Sequence, residues 1–202
     1  MINKDDNIES IKIGCFGDSC VGKTYLIRKY VNDITNIDST ITTAGIDYYA
    51  TKRILSNGKK YKITIYDTAG QEKYKSLSLY SIRHCDGVIL MYDITKKDSF
   101  NSVSEWINNI YDIKEKNFPF ILVGNKCDLK DEREISEEEG LEAAEKYKTK
   151  YFEVSSREGI NVEKAIDELL NKIISKNIIP KIKTIKLDIR KNIAPNKHKC
   201  CW

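Results

Sequence analysis

Long apolar runs are absent from this chain of 202 residues. No stretch approaches the roughly 20 consecutive apolar residues that cross a bilayer, and the polar first seven residues lack a signal-peptide core. The six cysteines show neither a disulfide framework nor paired zinc-ligand spacing, and His84 and His198 have no partners at metal-ligand spacing. We therefore expect a cytoplasmic protein with reduced thiols.

Periodicity is lacking from about residue 177 onward, where Pro180 and Pro195 interrupt the chain. Lysine and arginine dominate this stretch, and Asp188 is its only acid. Aromatic residues are not interleaved with the basic ones, so we expect a flexible linker with no nucleic-acid partner. The sequence thus predicts a domain over 9–176 and a basic tail over 177–202.

The sequence GDSCVGKT follows a predicted strand and precedes a predicted helix. Gly17 and Gly22 let successive backbone N–H groups turn into one concavity, and the helix N-terminus adds partial positive charge. Lys23 can reach terminal phosphates, and the Thr24 hydroxyl can ligate Mg²⁺. This context indicates a phosphate-binding loop, or P-loop. The residues expected to line it are Gly17, Asp18, Ser19, Cys20, Val21, Gly22, Lys23 and Thr24.

Strands and helices alternate in the predicted secondary structure, with a hairpin at Asn57-Gly58. The pattern predicts an α/β fold, a doubly wound and mainly parallel six-stranded sheet with one antiparallel strand. Phe100, Trp106 and Ile110 belong to one helical stripe, with Trp106 in the core. Leu141 is expected to share the stripe of a later helix, which Ser136 and Glu139 open with a capping box. The predicted strands are 11–16, 46–55, 61–67, 88–92, 120–123 and 151–154.

The sequence DTAGQE ends the second strand of the hairpin. Asp67 at a strand end can hold Mg²⁺ through a water molecule, as strand-end acids do in P-loop nucleotidases. Gly70 offers a backbone N–H to a γ-phosphate. Gln71 can orient an attacking water, and it is the catalytic candidate of this segment.

The sequence NKCD follows the 120–123 strand. The Asp128 carboxylate can accept hydrogen bonds from N1–H and the exocyclic amine of guanine, whereas adenine offers no such donor pair. Asn125 and Lys126 belong to the same motif, which argues against an adenine-specific kinase or ATPase. The segment after the last strand can present a backbone N–H to guanine O6. Its residues are Ser155, Ser156 and Arg157.

These four motifs, in this order and at these intervals, resemble those of the small Ras-like GTPases from about residue 11 to residue 174. The resemblance implies a G domain that binds GTP or GDP with Mg²⁺ and hydrolyses GTP slowly. It gives Lys23 and Gln71 catalytic roles and makes Thr24, Thr43 and Asp67 the metal-binding residues. It implies that Asn125, Lys126, Asp128, Ser155 and Ser156 bind guanine.

Within that superfamily the chain looks most like a Rab protein. The segments TAGIDY at 43–48 and YDIT at 92–95 are Rab-like, and no Rho-type insertion separates Asn125 from Ser155. Cys200 and Cys201 resemble a double prenylation signal. The resemblance implies vesicle trafficking, cycling onto intracellular membranes, and partners that include exchange factors, GTPase-activating proteins, a GDP-dissociation inhibitor and effectors.

Some positions depart from the family pattern. Thr42 rivals Thr43 as the switch I ligand, because the preceding loop is one residue longer than usual. Cys20 stands where a smaller residue is common. Of three aromatic effector positions, two fall on Tyr48 and Tyr66, and the third falls on Ser81, which has no ring. Two alternatives stay open: a GTPase-like interaction module with negligible hydrolysis, and a Ras-like GTPase outside the Rab group.

Overall fold

A six-stranded sheet flanked by helices forms the body of the protein in the computed structural model, which describes residues 8–31, 46–68 and 75–176. The strands are β1 (Glu9–Phe16), β2 (Ile46–Ile54), β3 (Lys60–Thr68), β4 (Gly87–Asp93), β5 (Phe120–Asn125) and β6 (Lys150–Val154). The helices are α1 (Lys23–Val31), α2 (Lys75–Ile82), α3 (Lys97–Asn101), α4 (Val103–Ile113), α5 (Glu137–Lys146) and α6 (Val162–Ser175). No helix of these described stretches is long and apolar enough to cross a membrane.

The strand order is β2-β3-β1-β4-β5-β6. Only β2 runs antiparallel to its neighbour β3, and the other four pairings are parallel. The predicted fold class is therefore confirmed. Because the parallel strands share one direction, their carboxyl ends meet at one edge of the sheet, where ligands of such folds bind.

Two apolar layers hold the helices against the sheet. On one face, Ile11 and Ile13 of β1 pack in a cluster with Leu26 of α1 and Leu169 of α6. The cluster on the other face includes residues from β4, β5, α2, α4 and α5. All four named side chains are fully buried, and each such burial contributes about 1.5–3 kcal/mol. These two layers hold the helices against the sheet, with the N-terminal ends of the helices near the carboxyl edge of the sheet.

Three local features differ from the sequence expectations or extend them. Helix α2 is an element that the sequence pattern did not predict. The single stripe from Phe100 to Ile110 divides between α3 and α4 at Ser102, whose backbone stays helical at φ −70° and ψ −16°. Leu141, which the sequence places on the stripe of α5, is 51% exposed, because the buried side of this helix carries Gly140 and Ala144.

The predicted start of α5 is confirmed. Ser136 accepts a hydrogen bond from the Glu139 backbone N–H, and the Glu139 carboxylate accepts one from the Ser136 N–H. This reciprocal pair satisfies two N–H groups that a helix terminus otherwise leaves unpaired. The start of α5 is thereby fixed at Glu137, in the connection between β5 and β6.

Candidate nucleotide-binding site

The P-loop lies between the end of β1 and the start of α1. At Gly17 and Gly22 of this loop, neighbouring atoms leave no room for the Cβ of any other residue. Gly17 has φ +136°, and a Cβ there would lie 2.1 Å from the Met91 carbonyl oxygen. Gly22 has φ +100°, and a Cβ would lie 2.2 Å from Asn125 Nδ2. Between them, Cys20 is exposed and has a left-handed φ of 63°. The loop is therefore a tightly packed turn with one thiol at its surface.

Lys23 folds back over the mouth of this loop. Its Nζ donates to the carbonyl oxygens of Gly17 at 2.9 Å and Asp18 at 2.7 Å. The side chain is buried, and burial lowers the pKa of Lys23 below the usual lysine value, while neighbouring acidic groups, including Asp67, oppose the shift. The ammonium is thus fixed at the position where a terminal phosphate would meet α1.

Thr24 and Asp67 bring two oxygen atoms together beside Lys23. The Thr24 hydroxyl donates to Asp67 Oδ2 at 2.6 Å, and Asp67 is fully buried near the end of β3. Carboxylate and hydroxyl oxygens are the donors that Mg²⁺ accepts, usually alongside water and substrate phosphates. The residues present therefore fit a magnesium site that a bound nucleotide would complete.

Asn125 connects three segments of the carboxyl edge. Its Nδ2 donates to the Val21 carbonyl oxygen at 2.7 Å. Its Oδ1 accepts from both the backbone N–H of Ser156 at 3.0 Å and the Ser156 hydroxyl at 2.9 Å. Both residues are nearly inaccessible to solvent. Asn125 therefore ties the P-loop to the segments that follow β5 and β6.

Lys126 adopts a left-handed φ of 71° and pairs with Asp93 at the end of β4. Its Nζ lies 2.5 Å from Asp93 Oδ2, and Asp93 is fully buried. Oδ1 of the same carboxylate accepts from the N–H and hydroxyl of Thr95. These bonds fix the direction of the Lys126 stem beside the candidate guanine position.

The other residues that are predicted to bind guanine lie in the same region. Asp128 is partly exposed two residues beyond Lys126. Ser155 is fully buried, and its Oγ accepts from the Glu158 N–H at 3.0 Å. The Arg157 side chain is 78% exposed. The structure therefore brings together the described residues of the P-loop, Asp67 and both guanine motifs at one edge of the sheet.

Several predicted site residues lie outside the described residues. They are Thr42, Thr43, Gly70, Gln71, Cys200 and Cys201. All three effector positions lie within the described residues. The first two are Tyr48, which is 74% exposed, and Tyr66, which lies opposite Tyr48 in the β2–β3 pair. Ser81 is buried, whereas the adjacent Tyr80 is 59% exposed. The exposed ring on α2 is therefore one residue away from the expected position.

Sequence reasoning missed the partners that support this site. Asp93 belongs to the Rab-like YDIT segment, and the sequence signal for its pairing is that an acid that ends a wholly apolar strand needs a partner for its charge. Trp106 is buried as its helical stripe predicts, and its indole N–H in addition donates to Asp18 Oδ1 at 2.8 Å. Arg133 and Glu153 form a bidentate ion pair, in which two guanidinium nitrogens each donate to one carboxylate oxygen. No sequence motif marks either residue as a support of the site.

Comparisons with known proteins agree with this arrangement. A sequence model of the Ras family matches residues 12–175. Ras-related protein Rab-3A of Homo sapiens is 39% identical over 175 residues, which cover 86% of this chain and 79% of that protein. Ras-related protein Rab-3C of Bos taurus is 39% identical over 86% of this chain and 76% of its own length. Ras-related protein Rab-3B of Rattus norvegicus is 39% identical, with 85% and 78% covered.

Proposed function

Since the chain belongs to the Ras family and is a Rab-like small GTPase, a GTP hydrolase, we propose that it binds GTP and GDP with Mg²⁺ and acts as a membrane-associated switch in vesicle trafficking. The observation that carries the proposal is the meeting of Lys23, the Thr24–Asp67 pair and Asn125 at one sheet edge. A phosphate-binding loop and a guanine-reading motif are connected there by direct hydrogen bonds.

In the proposed complex the P-loop N–H groups and the Lys23 ammonium bind the β- and γ-phosphates. Thr24 and Asp67 hold Mg²⁺, Asp67 through a water, together with Thr43 or Thr42 from the segment before β2. The metal supplies positive charge that neutralises the negative charge developing on the transferred phosphoryl group. The Lys23 ammonium carries three N–H donors, two of which bind the loop carbonyls, so the third can bind a phosphate without breaking those bonds.

Guanine recognition rests on the segments after β5 and β6. The Asp128 carboxylate accepts from two guanine donors, and the Lys126 stem, held by Asp93, packs along the ring. Ser155, Ser156 and Arg157 lie in the segment that offers a backbone N–H to O6. Asn125 holds this segment against the P-loop, so the base and phosphate subsites keep a fixed separation.

Phosphate release from GTP and from ATP, with and without Mg²⁺, tests the proposed activity. We expect hydrolysis of GTP only, dependent on Mg²⁺, at roughly 10⁻⁴ to 10⁻² per second without a helper protein. Asp128→Ala should weaken GTP binding and leave the fold intact, because the side chain is partly exposed. Equal turnover of ATP would overturn the guanine assignment. Tight GTP binding with no turnover would establish the alternative of an interaction module.

Gln71 is the residue we propose to position the attacking water, with the Gly70 N–H on the γ-phosphate. Gln71→Leu keeps a side chain of similar size but removes both hydrogen-bonding groups. Single-turnover hydrolysis should slow markedly in this variant while GTP affinity is retained. A Gln71→Leu protein that hydrolyses GTP as fast as the wild type would remove Gln71 from the mechanism.

Membrane attachment is proposed to occur through prenyl groups on Cys200 and Cys201. One lipid chain binds membranes only marginally, so stable anchoring takes two signals. Exchange factors, GTPase-activating proteins, a GDP-dissociation inhibitor and effectors are the partners that such a cycle requires. Mass spectrometry of membrane-bound protein from its own cells should find both cysteines modified. Unmodified cysteines in that fraction would contradict the anchor.

A further inference from the structure

Helix α4 reaches the P-loop through one side-chain hydrogen bond. Trp106 Nε1–H donates to Asp18 Oδ1 at 2.8 Å, across 88 positions of the sequence. Trp106 is 4% exposed, and its ring lies against Phe16, with centroids 6.3 Å apart. The indole is therefore held in place by the core, and it fixes the direction of a half-buried carboxylate that belongs to the phosphate-binding loop.

We propose that Trp106 is a positioning residue for nucleotide binding, which holds the Asp18 carboxylate on the indole N–H and so prevents it from turning into the phosphate subsite or pairing with Lys23. This inference rests on the proposed function. A negative side chain in a loop that binds a polyphosphate raises the energy of the complex, and the penalty grows as the two charges approach in a site of low dielectric constant. The Trp106 N–H stabilises the carboxylate in this direction without adding a charge of its own.

The position of Lys23 adds a second reason for this restraint. Its ammonium lies 2.7 Å from the Asp18 carbonyl oxygen, so the backbone of Asp18 and the Lys23 charge are already in contact. A carboxylate released from Trp106 can turn toward this ammonium and compete with the phosphates for it. Trp106 thereby keeps the loop cation available to the ligand.

Two substitutions separate charge positioning from packing. Trp106→Phe keeps an aromatic ring and deletes the N–H, and Asp18→Asn keeps the shape of the side chain but removes its charge. We expect Trp106→Phe to weaken GDP·Mg²⁺ binding about ten-fold, equivalent to about 1.4 kcal/mol. Asp18→Asn should bind GDP a few-fold more tightly than wild type. In the Asp18→Asn background, Trp106→Phe should cost less than about two-fold, because no carboxylate remains to be restrained.

The measurement is the Kd of a fluorescent GDP analogue with Mg²⁺ at low and high salt, together with a thermal melt of each variant. The Trp106→Phe defect should shrink as ionic strength rises, since screening weakens charge repulsion. Ile110→Val, which alters a buried residue of the same helix, is the control for destabilisation alone: it should lower the melting temperature and leave the Kd unchanged.

Two results would overturn the inference while the proposed function stands. One is a Trp106→Phe Kd within two-fold of wild type. The other is an equal, salt-independent loss from Trp106→Phe in both backgrounds, which would mean that the indole acts through packing. A folded wild-type protein that binds no guanine nucleotide would overturn the proposed function, and this inference with it.

Discussion

The ion pair between Arg133 and Glu153 gives the sharpest stability prediction. Arg133 donates to both oxygens of Glu153, at 2.6 Å and 2.7 Å, and its Nη1 also donates to the Ile135 carbonyl oxygen at 2.9 Å. The hydrogen bonds to Glu153 raise the pKa of Arg133, so the guanidinium stays charged at every working pH. Glu153 lies two residues before Ser155, so this pair supports the segment that is proposed to read guanine.

The structure sets the size of the effect of Arg133→Ala between two limits. Solvent-exposed pairs contribute about 0.2–1 kcal/mol, whereas removing one partner of a buried pair costs about 3–5 kcal/mol. Here the side chains are 26% and 13% exposed, and the remaining carboxylate keeps only a 3.1 Å bond from the Tyr151 hydroxyl among the side-chain contacts described for it. We therefore expect a loss of about 2–3 kcal/mol, or about 4–12 °C in melting temperature for a domain of this size.

Three further variants make the test specific. Lys150→Ala breaks an exposed pair with Glu168, in which the side chains are 61% and 32% exposed, and should cost less than about 1 kcal/mol. Arg133→Lys keeps the charge but loses the two parallel hydrogen bonds, so its cost should be intermediate. Adding Glu153→Gln to Arg133→Ala should recover part of the loss, because an unpaired buried charge accounts for much of it.

Thermal unfolding followed by circular dichroism measures these differences. All variants must be compared at one saturating concentration of GDP and Mg²⁺, since a ligand of the native state raises the melting temperature. If Arg133→Ala melts within 2 °C of wild type, or no lower than Lys150→Ala, the pair behaves as a surface pair and the reasoning fails. No recovery with Glu153→Gln would show that the charge left behind is solvated.

Three smaller predictions concern the loop and its supports. Ser156→Ala should speed release of fluorescent GDP in stopped flow about two- to five-fold, because Asn125 Oδ1 loses a side-chain donor and keeps the backbone one; unchanged release would refute this. Iodoacetamide should label the exposed Cys20 before the buried Cys15 and Cys85. Burial raises the pKa of both buried thiols, to about 12 for Cys85, so less of the reactive thiolate forms there. Peptide mass spectrometry that shows the reverse order of labelling would contradict this prediction. Gly22→Ala should abolish GDP binding by calorimetry, because its Cβ would clash with Asn125; retained affinity would disprove the clash.

The strands could be predicted because each carries its own signal, whereas α2 could not. Its sequence, KSLSLYSI, lacks the apolar spacing of an amphipathic helix, so the local pattern gives no helix signal. In the structure, Ile82 of α2 is fully buried in the core layer that also contains Trp106. Packing against that layer decides the conformation, and a single-sequence pattern does not contain this information.

The site shows the same division between local and long-range information. P-loop contacts such as those of Lys23 join residues five or six positions apart, and their spacing can be read directly. The Trp106–Asp18 and Lys126–Asp93 contacts join helices and strands that meet only after folding. Sequence could therefore predict which residues would meet at the carboxyl edge of the sheet. It could not predict which side chains would restrain the charges among them.

The hydrogen bonds and ion pairs that hold the site residues differ between its guanine side and its phosphate side, and this difference has a functional consequence. On the guanine side, Asn125 and Lys126 are bound to partners that a nucleotide would not displace, namely Ser156 and Asp93. On the phosphate side, Lys23 is bound to loop carbonyls, and the Thr24 hydroxyl donates to a carboxylate that a metal ion would also use. Nucleotide binding as proposed can keep these bonds, because the Lys23 ammonium has a third donor and the Thr24 oxygen can ligate a metal while its hydrogen stays on Asp67. Both sides are therefore arranged before the ligand binds, but only the phosphate side needs a metal ion to balance charge, so Mg²⁺ should slow nucleotide release.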